Sequence, residues 1–163
     1  MPTEQDRFRA AMAQLGSAVC VLTTEGEAGK YGITVSAVTS VSDDPPSLIV
    51  CVNRASGANP VIKANGKLCV NVLSCDQEDI SGAFAMGSRP VAERFESGVW
   101  TISDLGNPVL AETAASFDCE VDQAVEFGTH TVFLCRAIHI EHSDDRNCLI
   151  YHGRAYHRIR TLT

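Results

Sequence analysis

Residues 32–42, GITVSAVTSVS, form an uncharged segment that is unusually rich in small polar side chains. Its hydroxyls belong to Thr34, Ser36, Thr39, Ser40 and Ser42. A hydroxyl both donates and accepts hydrogen bonds without adding a fixed charge. The segment could therefore line a site for a neutral polar ring, which a bulky or charged side chain would obstruct. The alternative interpretation is a strand whose hydroxyls are satisfied within the fold.

Two further polar stretches could contribute to the same kind of site. CVNRASGANP brings Asn53, Ser56 and Asn59 close together in sequence, and FAMGSRP contains Gly87 and Arg89. Short hydroxyls, amides, backbone N–H groups and one arginine are suited to binding a phosphate and the polar edge of a ring. Each stretch is also typical of an ordinary loop, so none of them identifies a ligand by itself.

The sequence does not favour nucleophilic or metal chemistry. It contains no nucleotide-binding glycine motif and no nucleophile elbow. Its seven cysteines are scattered without a C-x-x-C pair, which predicts buried, reduced thiols, with a catalytic thiol as the alternative. His139 and His142 are three apart in a strand pattern and would point to opposite faces. We therefore predict no metal site.

Composition limits the remaining function classes. The chain has 163 residues and a formal net charge of −7, so a nucleic-acid-binding surface is not expected and an anionic ligand would need a local pocket. The N-terminal segment is charged, and no apolar run approaches the roughly eighteen residues of a membrane span. We predict one domain over residues 1–163, in a cytoplasmic protein with no membrane or nucleic-acid partner.

The hydrophobic pattern has mostly a period of two, which predicts seven or eight strands in a barrel or sandwich. A hairpin is expected around GEAGK, and two long strands are expected to join near Gly128. A short first helix is predicted with Thr3 as N-cap and Gly16 as its stop. Its apolar side chains, which would cover part of the barrel, are Phe8, Met12 and Leu15. Further short helices are predicted after Asn59, after a Ser74–Gln77 capping box and after Pro90.

The order of these motifs resembles the flavin reductase family of two-component monooxygenases. The most specific pieces are AVTSVSDDPPSLIVCVN, NGKLCVNVL and GTH, and the likeness extends from Phe8 to His157. The likeness is greatest to the reductase components of 4-hydroxyphenylacetate 3-monooxygenases, with pyrimidine-utilisation flavin reductases as near neighbours. The resemblance implies a mainly β fold, a six-stranded FMN-binding split β-barrel with Greek-key connectivity and a few short peripheral helices, assembled as a homodimer.

The resemblance also implies an activity. Such a protein transfers hydride from NADH, or less favourably NADPH, to FMN or FAD, and releases the reduced flavin to a flavin-dependent oxygenase, for example one that hydroxylates 4-hydroxyphenylacetate. Two alternatives stay open. One is a module that holds FMN as a fixed electron-transfer cofactor, and the other is a structural barrel without a ligand.

Residue by residue, the resemblance places the flavin ring and ribityl chain near residues 34–40 and 51–53, the polar tail near Ser56 and the phosphate near residues 84–89. The flavin-binding residues that it implies are Thr34, Ser36, Ala37, Val38, Thr39, Ser40, Cys51, Val52, Asn53, Ser56, Ala58, Asn59, Phe84, Ser88 and Arg89. The NADH-binding residues are Gly128, His130, Tyr151, His152, Gly153 and Arg154. His130 is the implied nicotinamide contact, although it could also serve only to order its loop.

Overall fold

The computed structural model describes residues 1–162, which form four helices and twelve strands. The helices are α1 (Glu4–Met12), α2 (Ala58–Asn65), α3 (Glu78–Ala85) and α4 (Val91–Arg94). The strands are β1 (Ser17–Ala18), β2 (Cys20–Gly26), β3 (Gly29–Val35), β4 (Val38–Asp43), β5 (Pro46–Asn53), β6 (Lys67–Val72), β7 (Trp100–Ile102), β8 (Pro108–Leu110), β9 (Ala115–Phe127), β10 (His130–His142), β11 (Leu149–His152) and β12 (Ala155–Arg158).

The main sheet is antiparallel and has the order β3-β2-β6-β9-β10-β5-β4. Its two edge strands, β3 and β4, follow each other in the chain and are joined only by Ser36 and Ala37. A two-residue connection requires the two edges to meet, so the sheet must roll into a barrel that is open along one seam. Cys51 N donates to Ala37 O at 3.1 Å and ties the link to β5.

The strand order is that of a Greek key. Strands β6, β9 and β10 are successive neighbours, and β5, which precedes β6, lies beside β10. The predicted mainly β split barrel with a few short helices is confirmed. The main sheet has seven strands rather than the expected six, because residues 38–43 pair with β5 as an additional edge strand.

The long β9–β10 hairpin connects the two halves of the barrel. It turns at Gly128, which has a positive φ of 56° that suits glycine, as the sequence predicted. His130 pairs directly with Asn53 on β5. The turn and the polar end of β5 are therefore held side by side, although they are far apart in sequence.

Strand β2 is buried on both faces and separates two apolar clusters. Cys20 and Leu22 point into the barrel, whereas Val21, and Val19 just before the strand, point outward to a cluster beneath α3. That outer cluster holds three aromatic rings in edge-to-face or tilted contact, with centroids 5.0 to 5.4 Å apart; they belong to Phe84, Phe95 and Trp100. A strand with both faces covered explains the unbroken apolar run in this part of the sequence.

The first helix differs from its prediction. Thr3 caps it through a reciprocal capping box with Asp6, as expected, but the helix ends at Met12 rather than near Gly16. None of its residues is buried: Phe8 and Met12 are 65% and 47% exposed, and Leu15, which follows the helix, is 58% exposed. The expectation that these three side chains cover the barrel of their own chain is wrong, because the helix is not packed against the sheet.

The other helix signals are partly confirmed. Gly66 ends α2 in the left-handed conformation, with φ of 67°. The Ser74–Gln77 pair forms only one bond of the capping box, from Ser74 N to Gln77 Oε1, and the cap of α3 is Gln77 itself. The last two strands form the β11–β12 hairpin, which turns at Gly153 and Arg154 and pairs with β1 through β11.

We predict that Gly32→Ala destabilises the fold. A Cβ at Gly32 would lie 2.5 Å from Phe84 Cε1, so the new methyl group would displace that ring from the aromatic cluster, at a cost of about 1–3 kcal/mol in free energy of unfolding. Gly82→Ala is the matched control, because its Cβ would meet no atom within 4 Å and would raise helix propensity. Urea denaturation measures both, and a Gly32→Ala protein as stable as the wild type would contradict this packing.

Candidate functional site

An open cleft of about 680 Å³ lies at the seam of the barrel. One side is formed by the end of β3, the Ser36–Ala37 link, the end of β5 and the start of α2. The other side is formed by α3, α4 and the β11–β12 hairpin. The volume falls within the roughly 300 to 1,000 Å³ that is typical of small-molecule sites.

The floor of the cleft is apolar and comes from both strands that meet at the seam. Ile33 and Val35 contribute from β3, Val52 from β5, and Phe84 from α3. Val52 and Phe84 are almost completely buried, with 1% and 2% exposure. A broad apolar floor with polar groups at its edge suits a planar aromatic ligand with hydrogen-bonding substituents.

The hydroxyl-rich segment divides at the Ser36–Ala37 link. Thr34, Ser36 and Ala37 line the cleft, and Thr34 Oγ1 donates to Ser81 O on α3 at 2.7 Å. Thr39 and Ser40 lie beyond the link on the exposed strand β4 and do not line it. Thr39 and Ser40 are therefore solvent-exposed residues outside the lining of the cleft.

Asn53 and His130 form one end of the cleft, across the β5–β10 pairing. Asn53 Oδ1 accepts from Ala55 N at 2.8 Å, and His130 Nδ1 lies 2.8 Å from Thr129 Oγ1. Both side chains are oriented by neighbours in their own loops. Within residues 1–162, His130 Nε2 has no hydrogen-bond partner and is available to a ligand.

Among the residues of the structure that line the cleft, Arg94 is the only one with a permanent charge. Its side chain is 2% exposed and donates to the carbonyl oxygens of Gly32, Arg89 and Gly87, at 2.8, 3.0 and 3.3 Å. No carboxylate of residues 1–162 pairs with it. A buried cation that is compensated only by carbonyl dipoles favours an anionic ligand beside it.

The N-terminus of α2 lies at the same end of the cleft as Arg94. Tyr31 contacts both. The centre of its ring lies 5.2 Å from the Arg94 guanidinium carbon, and its hydroxyl packs so closely against Gly57 that a Cβ on this glycine would clash with it. The positive end of the α2 dipole begins at Gly57. The cleft thus has one electropositive end and one neutral polar end.

Two tyrosines form the outer wall. Tyr151 and Tyr156 line the cleft from the β11–β12 hairpin, with ring centroids 5.6 Å apart. The Tyr156 hydroxyl lies 2.7 Å from Ser81 Oγ on α3. The hairpin is therefore fixed to the helix that supplies Phe84 to the floor.

A charged network holds the lip of the cleft. Glu126 on β9 accepts from Lys63 and Thr131 and pairs with Arg54 Nε at 2.6 Å. Arg54 also donates to Gly128 O at 3.2 Å. The Lys63 hydrogen bond is the main reason that the pKa of Glu126 is lowered. This network joins the segment after Asn53 to the hairpin that carries His130.

Cys51 lines the cleft but is not activated as a nucleophile. Partial burial raises the pKa of its thiol, and full burial raises that of Cys20 and Cys135 to about 12. These thiols stay protonated at neutral pH and resemble small apolar side chains. All seven cysteines are free; Cys20, Cys69, Cys119 and Cys135 are buried as predicted, whereas Cys51, Cys75 and Cys148 are only partly buried.

The structure brings together about half of the residues implied by the resemblance. Those that line the cleft are Thr34, Ser36, Ala37, Cys51, Val52, Asn53, Ser56, Phe84, His130 and Tyr151. Those outside its lining are Val38, Thr39, Ser40, Ala58, Asn59, Ser88, Arg89, Gly128, His152, Gly153 and Arg154. Ala58 and Asn59 are buried in the core, where Asn59 Nδ2 donates to Thr131 Oγ1 at 2.9 Å.

The sequence did not single out the other lining residues, which are Val19, Tyr31, Ile33, Ala55, Gly57, Ser81, Arg94 and Tyr156. Val19 and Ile33 belong to the strand pattern alone, whereas Val35 lies within the implied flavin segment 34–40 and lines the cleft. Ala85 and Gly87 lie within the implied phosphate segment 84–89 and line the cleft as well. The signal for Arg94 was weak, because an arginine in a short helical segment normally faces solvent.

No helix among residues 1–162 is long and apolar enough to cross a membrane. The same residues contain no group of three or more His, Cys, Asp or Glu side chains placed to hold a metal ion. His139 and His142 are exposed, and each lies near an aspartate rather than near the other.

Comparison with known proteins agrees with this site. A family model described as the flavin reductase like domain matches residues 12–160. The chain is 49% identical over 152 residues to the FMN reductase (NADH) RutF of Variovorax paradoxus, covering 93% of this chain and 84% of the relative.

Two solved structures have the same fold over nearly the whole chain. The NADH:FAD oxidoreductase SgcE6 of Streptomyces globisporus superposes with a TM-score of 0.91 at 26% identity, covering 99% of this chain and 96% of its own. BorF, the flavin reductase component of a bacterial two-component tryptophan halogenase, superposes with a TM-score of 0.90 at 27% identity, covering 98% and 100%.

We predict that Glu126→Gln removes part of the acid sensitivity of the fold. A carboxylate whose pKa is lowered in the folded state stabilises that state above its unfolded pKa, and the effect is lost as pH falls through the folded pKa. Melting temperature measured from neutral pH down to about pH 3 should fall less steeply in this variant. Glu27→Gln, in the β2–β3 turn, is the control. Equal slopes for Glu126→Gln and the wild type would contradict the network.

Proposed function

This chain belongs to the flavin reductase-like domain family, and on that basis we propose that it is an NADH-dependent flavin reductase that reduces FMN or FAD and releases the reduced flavin. The observation that carries the proposal is the character of the cleft. Its floor is apolar, its edge has uncharged hydroxyl and amide groups, and its one permanent charge among the described lining residues is the buried Arg94. A flavin mononucleotide has the matching parts: a flat ring, a hydroxylated chain and a phosphate.

The neutral end of the cleft would hold the ring. Ser36, Ala37 and Cys51 offer small side chains and backbone groups at its edge, and Asn53 offers an amide. Small neutral groups hold a ring without blocking its faces or biasing its charge. His130, opposite Asn53, would contact the nicotinamide of NADH through its free Nε2. NADH rather than NADPH is the preferred donor, since the relatives described above are an FMN reductase (NADH) and an NADH:FAD oxidoreductase.

The electropositive end would hold the flavin phosphate. Arg94 and the N-terminus of α2 support this placement, because a guanidinium and a helix N-terminus are both favourable for a phosphate. The resemblance placed Arg89 near the phosphate, but Arg89 does not line the cleft. Its backbone carbonyl oxygen instead accepts a hydrogen bond from Arg94 Nε at 3.0 Å. Arg89 therefore helps to orient the cation.

A bound flavin supplies the redox chemistry, since its ring accepts a hydride from nicotinamide. The protein has to bring two rings together and to exclude water, and it need not provide a nucleophile. The apolar floor and the tyrosine wall perform the exclusion. His130 and Asn53 orient the reactants, and the protonated Cys51 adds neither charge nor reactivity.

We further propose a flavin-dependent oxygenase as the consumer of the reduced flavin. Two relatives support it: BorF, a component of a two-component tryptophan halogenase, and the flavin reductase of the styrene monooxygenase of Pseudomonas putida S12. Within the family, the alternative of a pyrimidine-utilisation-type reductase is better supported by the RutF relatives than the 4-hydroxyphenylacetate type. A single domain, a cytoplasmic location and a homodimer remain proposals. The exposed apolar side chains of α1 support the homodimer, because a nine-residue helix without buried contacts is marginal in water.

The activity is tested by mixing the purified chain with NADH and an excess of FMN or FAD and by following the nicotinamide absorbance. We expect many turnovers for each protein molecule. A yellow protein that binds FMN without turnover would support the fixed-cofactor module instead. If the protein neither binds flavin nor oxidises NADH, the proposal is overturned and a structural barrel without a ligand is the remaining interpretation.

We predict that Arg94→Gln reduces the preference for FMN over riboflavin by about 10- to 100-fold, because a charged hydrogen bond contributes about 1.5–3 kcal/mol. Flavin fluorescence titration measures both dissociation constants, and riboflavin is the internal control since it lacks the phosphate. If affinity for both flavins fell by the same factor, Arg94 would only support the neighbouring loop.

A further inference from the structure

The hydroxyls of Ser81 and Tyr156 form a hydrogen bond in which either group could donate, and burial decides which direction is favourable. Ser81 is fully buried, at 0% exposure, and its Oγ lies 2.7 Å from Tyr156 Oη. Among residues 1–162, Tyr156 Oη is the only hydrogen-bond partner of that hydroxyl. A buried hydroxyl that could not donate would carry a desolvation cost. The favourable arrangement therefore has Ser81 donating and Tyr156 accepting.

This direction leaves the phenol proton of Tyr156 free. Tyr156 is 37% exposed, lines the cleft and has no second hydrogen-bond partner among the described residues. Its position is held from two sides, by Ser81 and by the ring of Tyr151 at 5.6 Å. Ser81 itself is fixed, because its carbonyl oxygen accepts from Thr34 Oγ1 at 2.7 Å. The free O–H group is thus part of a rigid wall rather than a mobile side chain.

We propose that Tyr156 is a substrate-binding residue that donates its phenol O–H to a carbonyl oxygen of a ring bound in the cleft, and that Ser81 is its positioning residue. The inference rests on the proposed flavin reductase function. Such carbonyl oxygens are present on the flavin ring and on the nicotinamide carboxamide. A donor fixed before binding loses little entropy when the hydrogen bond forms, which favours a measurable contribution to affinity.

The test uses Tyr156→Phe, which removes the O–H group and keeps the ring against Tyr151. Flavin affinity is measured by titration without NADH, and the KM for NADH is measured at saturating flavin. We expect one of the two to weaken by about 3- to 10-fold, which identifies the ring that carries the acceptor. The infrared carbonyl stretch of that ring, recorded in the complex, should move to higher frequency because the oxygen has lost its donor.

Ser81→Ala and the double variant provide the control. Since Ser81 acts through Tyr156, Ser81→Ala should weaken the same substrate, and the double variant should match Tyr156→Phe within about twofold. The proposal is overturned if Tyr156→Phe leaves both affinities and both carbonyl frequencies unchanged while the wild type binds flavin and oxidises NADH. It is also overturned if both affinities fall in parallel with the melting temperature, which would indicate a packing role. A wild-type chain that neither binds flavin nor oxidises NADH would overturn the proposed function as well.

Discussion

The barrel depends on one short covalent connection. Strands β3 and β4 are the two edges of the main sheet, and only Ser36 and Ala37 join them. The sheet must therefore curl until its edges meet, and it stays open along the seam beside the link. The cleft lies at this seam, so its apolar floor and its polar edge come from the inner faces and the exposed ends of the same strands. The geometry that closes the barrel is therefore also the geometry that forms the cleft.

Charge is concentrated at a single buried point of this cleft. The chain carries a net charge of −7, so an anion approaches a protein that repels it overall. Arg94 offsets this locally, and its three carbonyl acceptors, at Gly32, Gly87 and Arg89, come from β3 and from the segment before α4. The bonds that compensate the buried cation also fix the segments around it. Electrostatics and loop conformation therefore depend on each other at this end of the site.

Helix α3 couples the floor of the cleft to its outer wall. Phe84 packs into the aromatic cluster and forms part of the floor, and Ser81 binds both Thr34 on β3 and Tyr156 on β12. A change in the packing of Phe84 would therefore move the tyrosine wall as well. Glu126 has the corresponding role at the lip, where it holds the segment after Asn53 to the hairpin of His130. The site is rigid because each wall is anchored to an element of the core.

The sequence by itself determined the features that depend on local pattern. Alternation of apolar residues gave the β class, Gly128 gave the turn of the long hairpin, and the uncharged run around Ser36 marked one edge of the site. Only the tertiary structure decided which side chains meet there. The cleft is lined by Arg94, Tyr31 and Tyr156 because strands and helices that are distant in sequence pack together. Thr39 and Ser40 do not line it, because they lie beyond the seam on β4. Periodicity records which face of its own element a residue occupies, but the partner on that face is set by the packing of the whole chain.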